Sequence, residues 1–193
     1  MRKITILGMG PSAKIRQVDM ANHVIGEVWG LNNGYNTYPD LMFSRWFELH
    51  RYTDLVEEYK GQQHFHRIEN LHTPCYRLEP LPIIEAQVKY DIVEVFKHFK
   101  TNYFLGSPSL MLALALYEHD HGQEIEEIRS WGLDFSDELH AQQKQSWTFW
   151  MSKVIDRGIK VSGTAGDFVG EEDNDVGLRG IKENVGKIIM GVV

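Results

Sequence analysis

The stretch that most limits what this chain can fold into is Lys3-Ile4-Thr5-Ile6-Leu7-Gly8-Met9-Gly10-Pro11-Ser12-Ala13. Its β-branched and apolar opening reads as a buried strand, and the two glycines directly after it read as a sharp turn that lets backbone approach a ligand. Ser12 is a natural helix N-cap, and a helix starting there would aim N–H groups at an anion above the turn. A strand, a glycine turn and a helix start in that order can cradle a nucleotide phosphate. Gly8, Gly10 and Ser12 are therefore the first candidate nucleotide-binding residues.

The chain has enough apolar material to bury such a unit. Of its 193 residues, 42% are hydrophobic and 24% charged, the balance of an ordinary globular domain that needs no disulfide staples. The lone cysteine, Cys75, excludes an internal disulfide and is expected as a small core residue in a reducing compartment. A formal net charge of −7 argues against a dedicated binder of long duplex DNA, which would be basic. A local patch around Arg45, Arg51 and Arg67 would still allow contact with a modified base. The sequence opens without a charged-then-apolar leader, and its longest apolar run, Leu110 to Tyr117, is too short to cross a bilayer. No membrane partner is expected, and the expected location is the cytoplasm.

Periodicity predicts alternating strands and helices. Strands are expected at Lys3–Leu7, Val24–Leu31, Leu41–Leu49, His72–Leu78, Asn102–Leu105, Glu126–Trp131 and Ile159–Val161. Helices are expected at Ala13–Val18, Thr53–Lys60, Asp91–Lys100, Leu110–His121 and Leu139–Asp156. The pattern predicts a single-domain α/β Rossmann-like fold, a mainly parallel sheet with helices on both faces. Residues 1–162 would form the nucleotide-binding domain. Residues 163–193 would add a Gly-rich acidic loop and a C-terminal arm to it. Ligands of such sheets bind at the carboxyl ends of the strands. Those ends carry Gly8–Ser12, Asn32–Asn36, Glu48–His50, Gly106–Ser109 and Gly132–Asp134, so the suggestive turns are expected on one rim.

Each turn has a chemical and a plain reading. Gly8-x-Gly10-x-x-Ala13 fits the dinucleotide fingerprint with Glu27 as ribose acceptor, or serves only a tight turn. Asn32 and Asn33 could read a base edge or ribose hydroxyl, or simply tolerate a left-handed turn. Ser107 and Ser109 could take a phosphate oxygen at a helix start, or cap that helix. Gly132 precedes Asp134, which suits ribose binding or general-base work, or an N-cap for the following helix. His140 and His50 are further candidate bases. His64-x-His66 and His119-x-His121 share a face only on a strand, so no metal site is expected. Trp147 and Trp150 are expected in the core or at a dimer seam, and a homo-oligomer is compatible with that.

Four segments in order carry a resemblance: Ile6–Ser12, Trp29-Gly30-Leu31-Asn32-Asn33, Tyr103-Phe104-Leu105-Gly106-Ser107, and Ile128 to Phe135. Over residues 3–162 the chain resembles phage-type Rossmann-like proteins of the 6-hydroxymethylpterin diphosphokinase-like group. It is also similar to bacterial lipooligosaccharide sialyltransferases, with their Gly-Asn-Gly-Pro-Ser and Gly-Ile-Asp-Phe motifs. The second resemblance implies a cytidine nucleotide sugar, with Gly8, Gly10 and Ser12 at the phosphate. It also implies Asn32 or Asn33 at the sugar nucleotide, Ser107 at phosphate or base, and Asp134 at the ribose. Met9 stands where that family has asparagine, Ser136 where it has tyrosine, and no histidine follows His140. The resulting expectation is a glycosyltransferase-type transferase using a CMP- or UDP-type nucleotide sugar, with a divalent cation compatible. The acceptor would be a hydroxylated nucleobase, a glycan or a small metabolite. The alternatives are diphosphate transfer from ATP to a pterin-like alcohol, and a nucleotide-sequestering protein without turnover.

Overall fold

The computed structural model describes residues 1–16, 20–58, 62–81, 84–136 and 138–163. The expectations for Val18, Lys60 and residues 164–193 lie outside this set. Seven strands form one sheet, β1 (Arg2–Leu7), β2 (Glu27–Leu31), β3 (Arg45–Phe47), β4 (Cys75–Arg77), β5 (Gln87–Lys89), β6 (Ile125–Trp131) and β7 (Lys160–Gly163). Their order is β5-β4-β3-β2-β1-β6-β7 and every pairing is parallel. The order reverses at β1, as in doubly wound sheets that bind ligands at the carboxyl ends of the strands. The expected Rossmann-like α/β domain is what the chain forms.

The helices are α1 (Pro11–Arg16), α2 (Met20–His23), α3 (Tyr52–Glu58), α4 (Gln62–Glu69), α5 (Ile92–Phe99), α6 (Ser107–Asp120) and α7 (Glu138–Asp156). Side chains alternate between faces along each strand. Ile4, Ile6, Trp29, Leu31, Phe47 and Ile128 therefore pack in one cluster with residues of α5, α6 and α7. On the other face Leu7 and Val28 pack with Ala13 of α1, and Trp46 and Cys75 pack with Leu55 of α3 and with Phe65 and Ile68 of α4. Trp147 and Trp150 are fully buried in the first cluster, so they are core residues.

Helix α6 is buried along its first ten residues, Ser107 to Leu116, because it is apolar on every side and lies within the core. Its far end is tied to the amino edge of the sheet. Glu118 bonds Arg2 Nη1 at 2.9 Å and Arg45 Nη1 at 2.6 Å, and both arginines also pair with Glu27. With a rise of about 1.5 Å per residue, Ser107 then falls at the opposite, carboxyl edge.

Several expected elements change. Asn102–Leu105 joins no strand; Tyr103 O accepts from Trp150 Nε1 and Ser146 Oγ, and Leu105 N–H donates to Ser146 Oγ. Side chains of α7 thus do the work a neighbouring strand would have done. Strand β5 and helix α4 were not expected. The first has three residues and an exposed Val88, and the second buries His64 with Phe65 and Ile68 on an otherwise polar segment. Helix α6 starts at Ser107 rather than Leu110, and Thr53 lies inside α3 rather than capping it.

Candidate functional site at the carboxyl edge

The loops after β1 and β6 are joined backbone to backbone. Gly8 N–H donates to Trp131 O at 2.7 Å and Gly10 N–H to Gly132 O at 2.8 Å. A Cβ on Gly8 would overlap Gly132 O, and one on Gly132 would overlap Gly8 O. Gly132 also has φ +69, so both positions demand the absence of a side chain. Ser12 does not cap α1; it lies in the first turn, and its Oγ accepts from Gly132 N–H at 2.8 Å. Asp134 is the residue that caps, accepting from Ser12 N–H at 2.9 Å through Oδ2. It serves α1 from across the seam rather than the helix that follows it. Gly8, Gly10, Ser12, Gly132 and Asp134 are therefore one structural unit.

The turn after β2 leans on that unit. Tyr38 donates its hydroxyl to Gly8 O at 2.8 Å, and a Cβ on Gly34 would touch Met9 Cγ at 4.0 Å. Asn32 adopts a left-handed backbone, φ 51, with its N–H on Phe47 O. The side-chain carbonyl oxygens of Asn32 and Asn33 are buried and find no hydrogen-bond partner. Buried acceptors of this kind are rare, because leaving one unsatisfied costs about 1–3 kcal/mol. Here two fall on consecutive residues.

At the end of β3, Glu48 is fully buried and bonded by two histidines. His50 Nδ1 lies 2.7 Å from Oε1 and His64 Nε2 lies 2.7 Å from Oε2. Tyr35, from the 3-10 turn Gly34–Asn36, meets His64 Nδ1 at 2.6 Å. Burial alone would raise the Glu48 carboxyl, but the hydrogen bonds and charge of His50 and His64 bring it down to about 2. Burial raises the Tyr35 phenol, so its hydroxyl stays protonated beside His64. Buried Arg77 pins the backbone here, donating to Glu48 O at 2.9 Å and His50 O at 3.1 Å. Burial likewise pushes the Cys75 thiol up to about 12, the behaviour of an inert core thiol.

Other candidates lie elsewhere. Glu27 begins β2, on the amino edge, paired with Arg2 and Arg45. The ribose role that the dinucleotide fingerprint gives it is overturned. Arg45 and Arg67 do not share a patch, since Arg45 is at the amino edge and Arg67 reaches Asn36 beyond β2. Ser109 faces α7, its Oγ hydrogen-bonded to Ser146 Oγ at 2.8 Å. Ser107 is buried at the start of α6. His140 is in the first turn of α7, one turn from Gln143, against which Gly106 packs. His64 and His66 fall on different sides of α4, one buried and one exposed. Among the described residues no group of three or more His, Cys, Asp or Glu is arranged to hold a metal, and no helix is long and apolar enough to cross a membrane.

The sequence pattern at β3 pointed to its rim position but not to the Glu48–His64–Tyr35 chain. The available signal was Glu-x-His at a strand end, which puts both side chains on one face.

No family model matches the chain, and no curated protein matches it. Solved structures do. The chain is similar to a point variant of the alpha-2,3/8-sialyltransferase CstII, with a TM-score of 0.54 and 18% identity over 86% of this chain and 82% of that one. It is equally similar to CstII from Campylobacter jejuni in complex with the substrate analogue CMP-3FNeuAc, with a TM-score of 0.54 and 17% identity, covering 86% of this chain and 81% of that one. At this identity the likeness establishes a shared fold.

Proposed function

We propose that the carboxyl edge binds a CMP-type nucleotide sugar and that the protein transfers its sugar to a hydroxyl acceptor. The observation that carries this reading is the seam of Gly8–Ser12 and Gly132–Asp134 beside two buried, unpartnered amide oxygens on Asn32 and Asn33. In this reading Asn32 and Asn33 accept from the exocyclic amine of the base or from ribose hydroxyls. The donor phosphate lies above the glycine seam, facing the start of α6 at Ser107, where N–H groups favour negative charge. Asp134 shapes the loop by holding Ser12. In this reading His50 and His140 are the candidate bases for the acceptor. A structural neighbour solved with CMP-3FNeuAc supports the choice of nucleotide.

Thermal unfolding with CMP, UDP, GDP, ATP and NAD tests this. CMP at 100 times its Kd is expected to add about 2.7 kcal/mol of stability, with weaker responses to the others. A response confined to ATP and magnesium would replace the reading with diphosphate transfer. Tight CMP binding without turnover of any donor would replace it with sequestration.

A further inference from the structure

Building on that donor assignment, we propose that His50 is the general base for the acceptor hydroxyl and that Glu48, His64 and Tyr35 form the chain that positions it. With Glu48 ionised and both imidazoles neutral, these three contacts take one set of protons. Tyr35 O–H donates to His64 Nδ1, His64 Nε2–H donates to Glu48 Oε2, and His50 Nδ1–H donates to Glu48 Oε1. In that set each of the three donors has an acceptor, and His50 backbone N–H also reaches Glu48 Oε1 at 3.3 Å. The same set puts the basic lone pair of His50 on Nε2. A carboxylate holding the far nitrogen of an imidazole fixes its tautomer and stabilises the imidazolium that forms when it takes a proton.

The burial gradient runs in the direction such a device needs. Glu48 and His64 side chains are 0% and 1% exposed, and His50 is 33% exposed. The reacting end thus reaches solvent while the orienting end is locked in the core. Its backbone is locked as well, by Arg77 on the carbonyls of Glu48 and His50. Tyr35 belongs to the turn that follows Asn33, so one short segment serves both the proposed nucleotide contacts and the base. Asp134, by contrast, already accepts from Ser12 N–H. Among the described residues, the charged and titratable groups around the chain include Arg77 and Cys75 on β4 and Arg67 on α4, whose guanidinium lies 5.5 Å from the Tyr35 ring centre.

The step balances. His50 Nε2 takes the hydroxyl proton as the acceptor oxygen bonds the anomeric carbon. The bond from that carbon to the phosphate oxygen breaks, and its electron pair leaves with CMP.

The test uses the full chain with CMP-sialic acid as donor and water as acceptor, reading CMP release, CMP affinity and the rate–pH profile. His50→Gln is expected to keep CMP affinity within about twofold and to lower kcat by about 100-fold or more, the range of general-base catalysis. Glu48→Gln is expected to lower kcat and to move the acid limb of the profile to lower pH, because a neutral amide no longer favours the imidazolium. A merely structural Glu48 would leave that limb in place. Long-range proton–nitrogen spectra should show His50 protonated on Nδ1 in the wild type. Unchanged kcat in His50→Gln with CMP still bound, or a His50 ring protonated only on Nε2, overturns this proposal alone. A wild type that binds no CMP overturns the donor reading and this inference together.

Discussion

At the amino edge of the sheet, the charges at the strand starts close on one another. Arg2, Glu27, Arg45 and Glu118 pair within 2.6–3.3 Å, and the Arg45 guanidinium sits 4.7 Å from the Trp29 ring centre. At the carboxyl edge the groups at the strand ends are held just as firmly but are not all satisfied. Glycines there press loop against loop, two amide oxygens lack donors, and a buried carboxylate holds a histidine that reaches water. Among the described residues, the same sheet thus has one end whose charges are paired and one that keeps unpaired polar groups. Rigid support with incomplete hydrogen bonding is what a preorganised site requires.

That contrast can be broken at known points. The largest effect should come from Gly132→Ala, which adds a Cβ into Gly8 O at positive φ. A stability loss of about 4 kcal/mol or more is expected in urea unfolding, with CMP binding lost alongside. Glu48→Ala comes next. It leaves two histidine N–H donors without their shared carboxylate and should cost about 3 kcal/mol, the upper range for a buried donor left unpaired.

Acid should do this reversibly. The folded Glu48 carboxyl lies near 2, below its ordinary 4.5, so its contribution is complete above pH 4.5 and lost as pH falls towards 2. Urea titrations between pH 6 and 3 should show that decline, and Glu48→Gln should flatten it.

At the other edge, Glu118→Ala removes one acceptor from Arg2 and one from Arg45. It should lower stability by about 2 kcal/mol, as a partly buried network would, while CMP affinity is unchanged. Asn33→Ala should do the opposite, weakening CMP about tenfold, or about 1.4 kcal/mol, with stability held or improved because an unsatisfied oxygen is removed. The smallest effect is expected from Asp120→Asn. Its carboxyl is drawn down to about 2 by Arg157, but it is a surface partner, and a loss under about 1 kcal/mol is expected.

The sheet was readable in the sequence because both its faces are covered. Ile4-Thr5-Ile6-Leu7, Ile128 and Ser130 are apolar or small enough to be buried, and that pattern is local. The glycine seam was half readable. Gly8 and Gly10 announced a turn, but that Gly132 closes on it, with Asp134 capping α1, depends on a contact across more than 120 positions. Tyr103-Phe104-Leu105 looked like a strand by composition, yet Ser146 and Trp150 of α7 take its backbone bonds, a competition invisible in a local window. In the sequence His64 reads as one half of a pair with His66. On a helix their spacing separates them, and what matters is the residue His64 faces, Glu48, sixteen positions away.

The most direct test of the two-edge account is an amide chemical-shift titration with CMP. The account predicts saturable shifts concentrated at Gly8–Ser12, Asn32–Asn36 and Gly132–Asp134, with Arg2, Glu27, Arg45 and Glu118 still. Shifts centred on the amino edge, or none at millimolar CMP, would contradict it.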